Sequence, residues 1–178
     1  MQITWRRPGA RRTRHAANGQ ALAEFAVAAI PLLLMLLGIL QFALLYNAQI
    51  GLTNGVRDAA RYGSTLVANT DATAASSATA TRSFLGTSLA DHVVPYNAGN
   101  LAAQVCYAPA SDPTLPVEVR VRVTATYGHP LVVPLISLII DAADGTPDGL
   151  YSITSTIELR VDNPPEPPLN VTGSQCQT

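Results

Sequence analysis

Twenty consecutive residues, Ala26 to Leu45, carry one polar side chain, Gln41. At 1.5 Å per residue such a run makes about 30 Å of helix, the thickness of a bilayer core. It exceeds the roughly 7–15 apolar residues of a secretory signal peptide. The pattern therefore predicts a membrane-crossing helix, ahead of a cleaved signal or a buried globular helix. Helical spacing continues from Tyr46 to about Val67 through Ile50, Gly51, Val56, Ala59, Ala60 and Tyr62. Asn69 to Thr81 is rich in Ala, Ser and Thr and reads as a linker or a weak second helix, the helix, running to Leu85 and ending at Gly86, being favoured.

The period then changes. From Pro116 to Tyr127, Val117, Val119, Val121, Val123 and Ala125 alternate with Glu118, Arg120, Arg122, Thr124 and Thr126. This is the pattern of a half-exposed antiparallel strand. Tyr151 to Val161 alternates in the same way through Ile153, Ser155, Ile157, Leu159 and Val161, and Leu101 to Tyr107 reads as a short strand. Pro130 to Ile140 is apolar, holds two prolines and is too short to span a bilayer, so it is expected as a core-covering loop or short helix. Asp141 to Gly149 reads as an acidic turn, and Asn163 to Pro168 as a polyproline-like tail. The expected fold is α+β, a long N-terminal helix packed on a small antiparallel sheet. The segments are 1–19 as a basic leader, 20–67 as the membrane and extended helix, 68–163 as an α+β domain, and 164–178 as a Pro-rich tail.

Charge orients this scheme. Arg6, Arg7, Arg11, Arg12 and Arg14 precede the apolar run, and no acid occurs before Glu24. The remaining six arginines face all twelve acids, so the chain after Gly19 is net acidic by 12 − 6 = 6. Arginines on the leader side predict a cytoplasmic N-terminus and an extracytoplasmic C-terminal domain. Cys106 and Cys176 are too far apart for a metal knuckle. In an oxidising compartment they can pair, which would pin the tail to the sheet; in the cytosol they would be two unrelated thiols.

Within the apolar helix, Glu24, Pro31 and Gly38 recur at intervals of seven and share one face, with Ala28 nearby and Leu33, Leu37 and Leu44 opposite. A small, kinked face with one carboxylate is what a helix offers to other helices rather than to lipid. Further along, Asp58 and Arg61 are spaced to pair, and Arg57 and Arg61 lie one turn apart on one side, as a solvated face, a headgroup contact or a partner contact.

The chain shows no pattern of catalytic chemistry. His15 is in the leader, while His92 and His129 stand apart beside turn residues and read as lone exposed side chains. Asp141, Asp144 and Asp148 lack the regularity and terminal glutamate of a calcium loop. There is no phosphate loop, nucleophile elbow or zinc pattern. No enzyme activity, cofactor, metal or nucleic-acid partner is expected; the basic head is accounted for by orientation and lipid.

The stretch Gly19-Gln20-Ala21-Leu22-Ala23-Glu24-Phe25, the apolar span with its early proline, and the run Leu52-Thr53-Asn54-Gly55-Val56-Arg57-Asp58-Ala59-Ala60-Arg61-Tyr62-Gly63 together resemble the TadE-like proteins. These are pseudopilins, or minor pilins, of the Tad (tight adherence, Flp pilus) machinery. The resemblance is strongest over residues 12–68 and continues faintly through Val117–Tyr127 and Tyr151–Asp162. It implies cleavage between Gly19 and Gln20 by a prepilin peptidase, with Glu24 at the fifth mature position as the assembly carboxylate. Phe25 stands where many Flp-type precursors have tyrosine. Implied partners are other pilins and pseudopilins, the Tad inner-membrane platform, the peptidase and membrane lipid, and the implied location is a bacterial cell membrane, crossed once. Two function classes remain: a polymer-associated pseudopilin whose helix, with Glu24, Phe25, Pro31 and Gly38, is an assembly element, and a signal-anchored binding module whose helix is only a tether. The Gly19/Glu24 pair discriminates them, because a tether requires neither.

Overall fold

The computed structural model describes residues 14–109, 118–162 and 171–178. The leader arginines Arg6, Arg7, Arg11 and Arg12, the segment around Pro116 and Val117, and the polyproline stretch 163–170 lie outside the described residues. Two compact units divide the chain, one ending at Ile39 and the other beginning at Leu40.

One helix, α1 (Arg14–Ser64), runs through both. Pro31 lies inside it. In the first unit nearly every large apolar side chain of α1 is exposed, among them Leu22, Phe25, Val27, Leu33 and Leu36. In the second unit α1 carries a buried stripe, Gln41, Leu45, Ala48, Leu52, Val56 and Ala59, at the spacing of one helical face.

The second unit continues with α2 (Asp71–His92), a short 3-10 turn (Ala98–Asn100), β1 (Leu101–Pro109), β2 (Val119–Pro130), α3 (Pro134–Asp144), β3 (Leu150–Arg160) and β4 (Gln175–Gln177). The four strands form one antiparallel sheet in the order β3-β2-β1-β4. The expected α+β architecture is therefore present, and the apolar stretch after Pro130 supplies a short helix. On β2 the alternation is realised directly. Val119, Val121, Val123, Ala125 and Tyr127 are buried with Ala103, Val105 and Tyr107 of β1. On the open face Arg122 and Arg120 bind Glu158 at 2.7 and 3.3 Å, and Thr124 and Thr126 meet Thr156 and Thr154.

Helix α2 differs from the sequence expectation at its C-terminus, continuing through Gly86 to His92. Its start is fixed by Thr70, whose hydroxyl accepts from Thr73 N while Thr73 Oγ1 accepts from Thr70 N. A mid-helix glycine costs about 1 kcal/mol relative to alanine. Burial of Leu85 beside it and of Leu89 beyond it offsets that cost. Leu89 packs where α1 has Gly55: a Cβ there would stand 2.5 Å from Leu89 Cδ2. At Gly63 a Cβ would meet Thr81 Oγ1 and Tyr107 Oη at 2.9 Å each. These glycines let α1 approach α2 and the sheet closely. The gap at Gly63 is bridged by polar contacts, with Tyr107 Oη donating to Gly63 O at 2.7 Å and lying 3.1 Å from Thr81 Oγ1. Burial pushes the Tyr107 phenol up to about 12, opposed by the Thr81 hydrogen bond.

The C-terminal segment is tied down twice. β4 pairs with β1 with Cys176 opposite Cys106, and the two cysteines form a disulfide across 70 residues. Asp71, the first residue of α2, accepts from Thr172 N at 3.1 Å and from Thr172 Oγ1 at 2.8 Å.

Candidate assembly helix and its membrane-exit end

All the residues expected to matter for processing and assembly lie on the first unit of α1. Gly19, Gln20, Glu24, Phe25 and Pro31 are exposed, and Gly38 is half-buried. Gln20 Nε2 donates to Glu24 Oε1 at 3.0 Å, one helical turn away. A Cβ at Gly19 would touch nothing within 4 Å. Glycine at this position therefore has no packing explanation, unlike Gly55 and Gly63.

Arg57 and Arg61 are exposed on α1 in the second unit and border a groove of about 400 Å³ with Ile157 and Leu159 of β3. Neither pairs with an acid among the described residues. The expected Asp58–Arg61 pair does not form. Asp58 Oδ2 instead lies 3.3 Å from His92 Nε2, because α2 returns alongside α1 and ends opposite this turn.

His92 is thus not a lone side chain, and the expectation for His129 is also overturned. His129 is fully buried near the end of β2, edge-on to Tyr127 at a centroid distance of 6.4 Å. Strand β2 runs on past Tyr127 to Pro130, pairing His129 with Tyr151 and carrying the inward alternation two residues further. Neither ring nitrogen of His129 has a partner among the described residues. The acidic turn expected over Asp141–Gly149 is shorter than that, because α3 continues through Asp141 to Asp144; the side chains of those two residues lie outside the described ones, and Asp148 Oδ1 accepts from Leu150 N at 2.9 Å. No group of three potential metal-binding side chains occurs among the described residues.

Sequence reasoning passed over Gln41. Its side chain is fully buried, and Oε1 accepts from Val132 N at 3.0 Å and Val133 N at 3.1 Å. Val133 O in turn accepts from Ile136 N and Ser137 N, opening α3. A lone amide at the C-terminal end of the apolar run thus holds the start of a helix some 90 residues later in the chain. Its only signal in the sequence was its isolation: an amide in an apolar span is costly unless it bonds. Beyond Gln41, the apolar side chains of Phe42, Leu45, Tyr46, Ile140, Tyr151 and Ile153 line a cleft of about 570 Å³.

Residues Gly19–Ser64 include a stretch long and apolar enough to cross a membrane, which fits a single-pass anchor. No curated protein and no solved structure matches the chain. Residues 19–61 match the model of the family described as TadE-like protein. That segment starts at Gly19 and takes in Glu24, the apolar span and Arg57 and Arg61, and over it the chain is similar to TadE-like proteins.

Proposed function

We propose that the protein is a pseudopilin, or minor pilin, that acts in assembly of a Tad (Flp) type IV pilus. It is made as a precursor with its arginine-rich leader in the cytoplasm and its α+β domain outside. A prepilin peptidase hydrolyses the Gly19–Gln20 bond, and the apolar helix then packs among other pilins and pseudopilins on the inner-membrane platform.

The observation that carries this reading is Gly19. It is helical, costs about 1 kcal/mol there relative to alanine, and faces open space. A glycine without a packing role, five residues before Glu24, suits a site where a protease must approach the backbone. Cleavage creates an α-amine at Gln20. The Gln20–Glu24 hydrogen bond supports the idea that a cation at position 20 and the carboxylate at 24 lie on one face. In a helical bundle of low dielectric, Glu24 of one subunit pairs with the Gln20 amine of another.

The test is complementation of a deletion strain, scored by surface pili and by processing on a gel. Gly19→Arg leaves an uncut precursor. Glu24→Ala and Glu24→Gln are exported and cut but give no pili, and Glu24→Asp is intermediate because its side chain is shorter. Intact mass of the native protein places Gln20 first. Full piliation with Glu24→Ala, or recovery of only the uncut chain beside its cognate peptidase, leaves the helix as a tether.

A further inference from the structure

Helix α3 turns its apolar residues the wrong way for a water-facing domain. Val132, Leu135, Leu138 and Ile139 are 59, 52, 68 and 68% exposed. Leu135, Leu138, Ile139 and the exposed Ala142 fall at the i, i+3, i+4, i+7 spacing of one helical face, and Val132 lies just before the helix. The opposite side holds the half-buried Ile136 and Ile140; Ile140, with Ile139 at the edge of the exposed stripe, lines the apolar cleft beside Tyr151 and Ile153 of β3. Thus α3 is fixed to the domain by one side and leaves a continuous apolar stripe on the other.

The position of that stripe identifies what covers it. The start of α3 is bound to α1 at Gln41 through Val132 N and Val133 N. Gln41 lies four residues before the end of the apolar run at Leu45. Four residues of helix rise about 6 Å, within the roughly 5–10 Å to which interfacial helices sink below the headgroups. Tyr46 and Tyr151 border the same cleft, as aromatic side chains do at the headgroup level of a bilayer. Ile139 of the stripe shares this cleft with Phe42 and Tyr46 of α1, both exposed, so the stripe lies beside the end of the apolar run.

We propose that α3 is an interfacial helix, seated in the headgroup–acyl boundary of the leaflet from which α1 emerges and sinking Val132, Leu135, Leu138 and Ile139 into lipid. Gln41 sets its depth by joining the start of α3 to the anchor. The domain is thereby held to the membrane surface by two elements, and extraction of α1 requires α3 to leave the lipid as well. This rests on the reading of α1 as a membrane anchor.

The test uses the full chain with its single tryptophan removed (Trp5→Phe) and one tryptophan introduced at Leu138, at Leu33 within the apolar run, or at Val67 beyond α1. Each protein is reconstituted at high lipid-to-protein ratio in phosphatidylethanolamine–phosphatidylglycerol vesicles containing lipid brominated near the top of its acyl chains. Leu138→Trp is expected to lose roughly half its emission, as for an indole about 5–10 Å below the headgroups. Leu33→Trp is quenched and Val67→Trp is not. Leu135→Trp, on the same face, repeats the measurement with an independent probe. Quenching at Leu33 without quenching at Leu138 or Leu135 overturns the proposal and leaves the face to a protein partner, such as a second copy of this chain. Absence of quenching at Leu33 overturns the anchor reading, and the proposal falls with it by a different signature.

Discussion

Replacing Gln41 with leucine separates its two roles. In the bilayer, leucine is the more favourable residue, so Gln41→Leu inserts at least as well as the native chain. In the domain the change removes the acceptor of the Val132 and Val133 amides, bonded at 3.0 and 3.1 Å. Both donors are only part-buried, so each orphaned amide costs about 1–2 kcal/mol, the low part of the range for buried groups, or about 2–4 kcal/mol for the two. Gln41 Nε2 has no partner among the described residues, so losing it returns about 1 kcal/mol. The net cost is about 1–3 kcal/mol, confined to the attachment of α3. At about 1.4 kcal/mol per factor of ten, the α3 start then opens roughly 10- to 100-fold more often. Amide hydrogen exchange on the membrane-reconstituted protein reads this directly. Protection should fall at Val132 and Val133, and with them at Ile136 and Ser137, which bond to Val133 O. Protection at Val105 and Val123, paired in the middle of the sheet, should not change. Unchanged exchange at Val132 and Val133 would refute the assignment of Gln41 as the tether of α3. An equal loss across the sheet would refute its being local.

Replacing Cys106 and Cys176 with alanine opens a 70-residue loop and should lower stability by at most about 4 kcal/mol in the chain-entropy model, read from urea denaturation; a loss below about 1 kcal/mol would mean that the Asp71–Thr172 contacts already hold the tail. His129→Phe keeps a buried ring beside Tyr127 and removes two unpartnered polar atoms, so it should stabilise by about 1–2 kcal/mol, and a lowered melting temperature would contradict that account. The Asp71 carboxyl is held below its usual value of 3.8, first by the Thr172 hydroxyl and then by the Thr172 amide. Its depressed value in the fold means that this anchoring is fully present above about pH 3.8 and is lost as pH falls through the folded value. Exchange at the Thr172 amide should quicken over that acid range and lose its pH step in Asp71→Asn; a step that persists in the variant would assign it to another group.

The membrane helix and strands β2 and β3 were legible along the chain because each expresses a local period. Ala26–Leu45 is apolar on every face, and Val119 to Ala125 alternates at the strand repeat of two, so burial follows from neighbours in sequence. The glycine and carboxylate at 19 and 24 were visible for the same reason, as a short-range spacing. Other features were set by partners distant in the chain. Helix α2 has little apolar contrast, and only packing against the glycines of α1 carries it past Gly86 to His92. Strand β4 is three residues long and exists because Cys176 and its neighbours pair with β1. His129 is buried because β3 extends the sheet alongside it, and Asp58 meets His92 rather than Arg61 because α2 ends there. The role of Gln41 depends on two amides some 90 residues away, a pairing for which hydrophobic periodicity has no term. Local pattern determines which segments must be helix, strand or membrane span, whereas the satisfaction of buried polar groups is a property of the assembled fold.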